Sequence, residues 1–428
     1  MRTILSGITF CLLSLVMAIH ADAIKDAHKT QIIFQGFGWD SEIKGPGNWY
    51  THLASMSKNL AKAGVTHVWF PPVSRSVSPQ GYMPGDYYDL GDDSSPTYYG
   101  TLNQLQKAIQ DFANAGIVSV ADIVINHRTA SHQEDGLWNV FHHNSGRMRW
   151  EKWALAAGDY GGTGSPDSGG DFEPAPDIDH TNHRVRADII EWLRWMRDAI
   201  GFEGFRFDYT KGFDGAFVKE YVKAVPTSFC VGEYWTSMNY NGTQLLPDQN
   251  KHRQEITDWV DRTEGTCSTF DFTTKGILQE AVRTGEYWRL KDSQGKASGL
   301  LGWWPTHAVS FVDNHDTGSK QAHWEFPKDR VLAGYAYILT HPGTPSVFYE
   351  HFVDWDDRVR DGIAVLMGLR HKAGIHSGSS LEILKAEQDL YVGVVDSRVL
   401  LKLGRGQFQP ENGWSILLEG LDFSVYSR

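Results

Sequence analysis

Three ionisable side chains close an apolar run at Gly204-Phe-Arg-Phe-Asp-Tyr-Thr-Lys-Gly212, namely Arg206, Asp208 and Lys211. Side chains alternate along a strand, so Arg206 and Asp208 share one face while Phe205 and Phe207 share the other. A guanidinium beside a carboxylate favours its ionised form, and an ionised carboxylate delivered to an open strand end can act as a nucleophile. Taken alone, the stretch fits a structural ion pair equally well. A second apolar run, Ser228-Phe-Cys-Val-Gly-Glu233, ends in an acid 25 residues after Asp208. That interval holds about one strand, one helix and two short loops, which places Asp208 and Glu233 at the ends of consecutive parallel strands. Adjacent strands lie about 4.8 Å apart, so the carboxyl groups can approach the roughly 5 to 5.5 Å at which one acid attacks an acetal carbon and the other protonates its leaving oxygen.

Two further apolar runs end in polar groups: Asp122-Ile-Val-Ile-Asn126-His127-Arg128 and Phe311-Val-Asp313-Asn314-His315-Asp316. To bring four such ends to one place the chain needs a sheet whose strands all point the same way. Candidate strands are Gln31 to Phe37, Val65 to Phe70, Val118 to Ile125, Phe205 to Asp208, Phe229 to Glu233, Thr269 to Phe272, Val309 to Asp313 and Val347 to Tyr349. Amphipathic stretches separate them. From Asn182 to Ile200, Val185, Ile189, Trp192, Leu193 and Met196 form one stripe with Gly201 just beyond, and Leu102, Leu105, Ile109 and Phe112 repeat the design before Gly116. Eight strand-helix units suit an α/β fold closed as a (β/α)8 TIM barrel, whose active sites sit at the carboxyl ends of the strands.

The alternation breaks after the third strand. Residues 128–179 are rich in Gly, His, Asp and Trp without a long periodic segment, as expected for an inserted subdomain. Its carboxylates among glycines suit calcium, although a solvated acidic loop reads as well from composition. His142-His143 has no zinc spacing around it. Residues 381–428 switch to alternating runs, the pattern of a small C-terminal antiparallel β domain, which leaves residues 24–127 and 180–380 for the barrel. Residues 1–23, with Arg2, an apolar run and small residues at Ala21 and Ala23, read as a secretory signal peptide, so the mature protein is expected outside the cell. That leaves Cys230 and Cys267, which can pair or stay as buried thiols. A net charge of −12 and the lack of a basic run argue against nucleic acid and anionic membranes as partners. Asn241-Gly-Thr243 is a glycan acceptor sequence in a host that glycosylates secreted proteins.

Asp122 to His127, Gly204 to Gly212, Val231 to Trp235 and Phe311 to Asp316 resemble, in order and spacing, the four signature regions of the α-amylase family, glycoside hydrolase family 13. Gln80-Gly-Tyr-Met-Pro-Gly85, Pro176-Asp-Ile-Asp-His180, Gly302-Trp-Trp-Pro305 and the stretch from Gly334 to Gly343 are similar to its plant-type members. The resemblance implies endo-acting, configuration-retaining hydrolysis of α-1,4-glucosidic bonds in starch. It implies Asp208 as nucleophile, Glu233 as acid/base and Asp316 as the third acid. Tyr82, His127, Arg206, Lys211, Trp235 and His315 match residues around the sugar, and Trp303 with Trp304 matches a surface starch-binding pair. Asn126, Asp167, Asp171, Asp177 and the carbonyl of Gly212 match ligands of a structural Ca2+. Further calcium through the segment from Phe141 to Trp150 is not implied, because His142 and Arg147 to Trp150 supply no acids in register. Chloride is not expected either, since Thr344-Pro-Ser346 carries no basic residue. A monomer is the default expectation.

Overall fold

Eight short parallel strands close into a barrel in the computed structural model, which describes residues 29–428; the segment read as a signal peptide lies outside them. They are β1 (Ile33–Gln35), β2 (His67–Trp69), β3 (Val118–Ile123), β4 (Gly204–Phe207), β5 (Phe229–Gly232), β6 (Ser268–Phe270), β7 (Ala308–Phe311) and β8 (Thr344–Phe348). Each pairs with its neighbours in chain order, and β8 pairs with β1. Every expected strand is present, but the ladders stop early, so Asp208 and Glu233 stand one residue past their strands. Their backbone N–H groups still donate to Ile123 and Phe207 of the adjacent strands at 2.9 Å, which holds both acids at the mouth of the barrel.

Helices α1 (Trp49–Ala63), α2 (Leu102–Asn114), α3 (His183–Trp195), α4 (Gly215–Ala224), α5 (Asn250–Arg262), α6 (Phe272–Thr284), α7 (Val331–Thr340) and α8 (Asp357–Ala373) return the chain between strands and beyond the last one. Their ends follow from local chemistry. Thr101 and Gln104 form a reciprocal capping box that starts α2, and Leu105, Ile109 and Phe112 bury its inner stripe. Asn182 caps α3, which passes into a π turn over Met196–Ile200 and stops at Gly201 with a φ of 103°.

Between β3 and α3 the chain leaves the barrel, forming a hairpin of His132–Glu134 with Leu137–Val140 and two 3-10 turns. The Arg128 guanidinium, fully buried, holds this excursion together by lying over Tyr87, Phe141 and Trp150 and donating to the carbonyls of Gly85 and Met148. Strands β9 (Leu381–Glu387), β10 (Leu390–Val395), β11 (Val399–Leu403), β12 (Ser415–Gly420) and β13 (Phe423–Ser427) form an antiparallel sheet. Tyr391 and Val395 of β10 pack toward the barrel, while Leu390, Val392 and Val394 pack under Phe408 and Trp414. Cys230 on β5 and Cys267, just before β6, form a disulfide, which settles the alternative left open by the sequence.

Candidate active site

Register between strands builds the centre of the site. Asp122 pairs with Arg206 across β3 and β4, and Phe207 pairs with Gly232 across β4 and β5, so one guanidinium faces acids from three strands. Arg206 Nη1 donates to Asp122 Oδ1 at 2.7 Å and to Asp208 Oδ1 at 2.6 Å. Its Nη2 lies 2.6 Å from Glu233 Oε1. Asp208 and Glu233 therefore sit on opposite terminal nitrogens of a single buried cation. Asp122, which the sequence offered only as part of a motif, is fixed further by Tyr82 Oη at 2.8 Å and Trp69 Nε1 at 2.9 Å. Arg206 was expected among the sugar contacts, but it is wholly buried behind the acids and absent from the cleft lining. Its influence is electrostatic.

One cation cannot compensate four acids. Burial pushes Asp122 and Asp208 up to about 6 and Glu233 up to about 7, with Arg206 pulling each back. Burial and the Glu233 charge raise Asp316 well above the ordinary carboxylate range. Arg206 was expected to hold Asp208 ionised; shared between Asp122, Asp208 and Glu233, it only limits the rise. Burial raises Glu233 most, and the Asp208 charge beside it adds to the rise, so Asp208 stays the more acidic of the two. Of the pair, Asp208 ionises more readily and Glu233 holds its proton more tightly, the order that nucleophile and acid require.

A cleft of about 380 Å³ opens over these groups, lined by Trp39, Tyr82, His127, Phe172, Asp208, Tyr209, Lys211, Glu233, Trp235, His315, Asp316 and His323. A larger hollow of about 510 Å³ between Glu42, Tyr98 and several prolines gathers no comparable set of acids. The Tyr82 and His315 rings are parallel at 5.0 Å, and Trp39 lies parallel to both. Gln35 donates to His315 Nδ1 at 2.9 Å, leaving the ring proton on Nε2, 3.4 Å from Asp316 Oδ2. Burial lowers the His315 and His127 pKa values, so both rings are neutral hydrogen-bonding groups. Trp39, Phe172, Tyr209 and His323 were missed by sequence reading. Trp39 lies four residues past the end of β1, and that place in the loop after a strand was its available signal.

The expected calcium ligands gather beside this cleft. Oxygens of Asp167, Asp171 and Asp177 lie within 4.8 Å of one another, and no lysine or arginine pairs with them among the described residues. Asn126 Nδ2 donates to Asp177 Oδ1 at 2.8 Å, which leaves Asn126 Oδ1 buried without a partner; Asp167 Oδ2 is likewise orphaned. A Cβ on Gly212 would meet Asn126 Oδ1 at 1.9 Å, so only glycine lets the backbone come this close. Burial, added to by Asp159, Asp167 and Asp171, pushes Asp177 up to about 7. Hard oxygen donors with unmet demand for positive charge fit Ca2+. The same loop reaches the cleft, because Phe172 stacks on His127 at 3.8 Å and Tyr209 Oη donates to the Asp171 carbonyl at 2.9 Å. That bond helps hold Tyr209, next to Asp208, in a left-handed conformation with a φ of 45°.

Trp303 and Trp304 lie outside the cleft, both half-buried, so neither is a core residue. The Arg253 guanidinium lies 3.9 Å from the Trp303 ring centre, fixing that indole from one side. Trp304 packs against His307.

Residues 372–427 match the family model of the α-amylase C-terminal β-sheet domain. The chain is 44% identical over 400 residues to probable α-amylase 2 of Arabidopsis thaliana, an alignment covering 93% of this chain and 94% of that protein. It is also 44% identical over 403 residues to the chloroplastic α-amylase 3 of the same plant, covering 92% of this chain but only 44% of that longer protein. An α-amylase from Geobacillus thermoleovorans, solved in complex with acarbose, shares the fold with a TM-score of 0.65 at 16% identity, over 94% of this chain and 98% of that one. With the four motif-bearing strand ends gathered at one barrel mouth and probable α-amylase 2 matched along nearly its whole length, the chain belongs to the α-amylase family of glycoside hydrolases, in its plant-type group.

Proposed function

We propose that this protein is a secreted, endo-acting α-amylase that hydrolyses internal α-1,4-glucosidic bonds of starch with retention of configuration. The observation that carries the reading is the placement of Asp208 and Glu233 on the two ends of one buried guanidinium, beneath an open cleft. Asp208 attacks the anomeric carbon while Glu233 protonates the departing oxygen. A covalent glycosyl-enzyme forms, and Glu233, now ionised, activates the water that releases the product. Asp316, with neutral His315 and His127, hydrogen-bonds the hydroxyls of the reacting sugar, over which Tyr82 provides a flat surface. Lys211 and Trp235 meet the sugar on the side from which the leaving group departs. An open cleft favours attack within a chain over attack at its end.

Asn126, Asp167, Asp171, Asp177 and the Gly212 carbonyl would hold a calcium ion. The ion supplies positive charge that keeps the acidic loop, and with it Phe172 and Tyr209, against the barrel. The domain division we propose is a signal peptide at 1–23, the barrel in 24–127 and 180–380, the calcium-binding insertion at 128–179 and the β domain at 381–428.

Digestion of soluble starch tests the reading: iodine staining and viscosity should collapse before much reducing sugar appears. Release of maltose alone with staining preserved would refute endo-action. The pH profile is a second check. Activity requires Asp208 ionised and Glu233 protonated, so kcat/KM should fall as pH drops below about 6 and fall again as pH rises above about 7. A profile flat to pH 9 would contradict the acid assignment. Converting Trp303 and Trp304 to Ala should weaken adsorption to starch granules about tenfold, as loss of stacking surface predicts, and leave kcat on short soluble oligosaccharides unchanged. Equal adsorption by wild type and variant would remove them as a surface site.

A further inference from the structure

Through Lys211, Trp235 and His323 the cleft adjoins a second hollow of about 460 Å³, whose wall also includes Met238 and Trp324. Asp208 and Glu233 line the first cleft only, whereas Lys211 and Trp235, placed above on the leaving-group side, line both, so the hollow takes the leaving part of the chain. Its wall is built on one helix. Phe272, the first residue of α6, stacks on Trp235 at 5.0 Å with planes 9° apart, and Trp235 in turn lies parallel to Trp324. Three residues on, the Lys275 ammonium, fully buried, bonds Asp313 Oδ1 at 2.9 Å and the Trp324 carbonyl at 2.9 Å, and sits 5.3 Å from both the Trp324 and Phe326 ring centres. The next residue is Gly276. A Cβ there would meet the Met238 sulfur at 2.4 Å and the Trp324 ring at 2.7 Å.

Asp313 takes the other end of the same connection. It accepts Thr317 Oγ1 at 3.0 Å and the Phe326 N–H at 3.1 Å, and His351 Nε2 lies 3.6 Å away. The β7–α7 loop is thereby pinned at its beginning, at Asp313, and at its end, through Trp324 and Phe326. Between the pins lie His315, Asp316 and His323, and the His323 N–H donates back to the Asp316 carbonyl at 3.1 Å. A buried lysine-carboxylate pair adds little net stability over an apolar pair of the same shape, so stability alone is a weak reason to keep it. Here it joins the reacting centre to the wall of the leaving-group hollow.

We propose that the first turn of α6 is the seat of the leaving-group subsites, with Lys275 and Gly276 as positioning residues that set where along a glucan chain the cut falls. This rests on the amylase reading above. The test compares wild type with Lys275→Met, the double variant Lys275→Met/Asp313→Asn, and Gly276→Ala, by cleavage positions on maltoheptaose, thermal melting and amide hydrogen exchange of residues 314–326.

Lys275→Met leaves a buried unpaired carboxylate and should melt earlier. The double variant removes both charges and should recover the melting temperature, yet keep a shifted cleavage pattern and faster exchange in the loop. Gly276→Ala leaves the ion pair intact and should raise KM for maltoheptaose about tenfold with kcat changed far less, because it displaces Met238 and Trp324 in the wall of the hollow and touches no reacting group. If the double variant and Gly276→Ala cut maltoheptaose at the wild-type positions with unchanged loop exchange, the pair is merely structural and the proposal fails. A wild type that does not cleave maltoheptaose at all would overturn the amylase reading instead, while loop exchange would still decide whether α6 holds the loop.

Discussion

Replacing Asp208 by Asn is expected to lower kcat on soluble starch by on the order of 10⁴-fold or more, because the proposed mechanism gives Asp208 the covalent bond to the sugar. Glu233→Gln should lower it by roughly 10²- to 10⁴-fold for substrates whose leaving oxygen needs a proton. Stability should move the other way. Three acids share one guanidinium with Asp316 close by, and burial holds all four above their ordinary pKa values, so neutralising one relieves repulsion in the native state. The melting temperature of Asp208→Asn should therefore equal or exceed that of wild type near pH 7. A purely structural ion pair predicts the opposite, since breaking one leaves a buried charge uncompensated, at roughly 3 to 5 kcal/mol. Activity and melting, measured together on the same two variants, separate the readings: full activity with a lower melting temperature would mean that Arg206 and its acids only hold strands together.

The second large effect is expected from calcium removal. The cluster of Asp167, Asp171 and Asp177, with the orphaned oxygens of Asn126 and Asp167, pairs with no lysine or arginine among the described residues. An ion present at a thousand times its dissociation constant adds about 4 kcal/mol to folding stability. Chelation should lower the melting temperature by roughly 10 °C, and Asp177→Ala should do the same without chelator. Activity should fall before global unfolding, because Phe172 and Tyr209 depend on the acidic loop for their positions against His127 and Asp208. Calcium, not magnesium, should restore both, since six to eight flexible oxygen ligands suit the larger ion. Equal melting curves with and without chelator, in protein shown by metal analysis to have lost its ion, would remove calcium from the account.

How much of this was legible in the sequence depended on the range of the interaction involved. The eight strands were readable because each is a short apolar run bounded by loop residues, and α2 and α3 because their stripes and caps are local. Strand ends were read too long, since residues such as Phe37 and Val312 remain buried after the ladder stops. Local pattern also carried Asp208, Glu233 and Asp316 to the barrel mouth. It could not show that Arg206 is shared with Asp122, because that depends on register between β3 and β4, which lie more than 80 residues apart in the chain. The disulfide was hidden for the same reason: Cys230 and Cys267 meet only because β5 and β6 are neighbours. Phe172 sits in a stretch whose composition announces a loop, and nothing local marks it as the ring that covers His127.

Anomeric configuration is the measurement that bears most directly on the paired roles of Asp208 and Glu233. Proton NMR of maltoheptaose in the first minutes of digestion reads the newly formed reducing end before it mutarotates. Attack by Asp208 followed by attack of water inverts the carbon twice, so the α-anomer should appear first and convert slowly to the equilibrium mixture. A β-anomer appearing first would mean a single displacement by water, and Asp208 would no longer be the nucleophile.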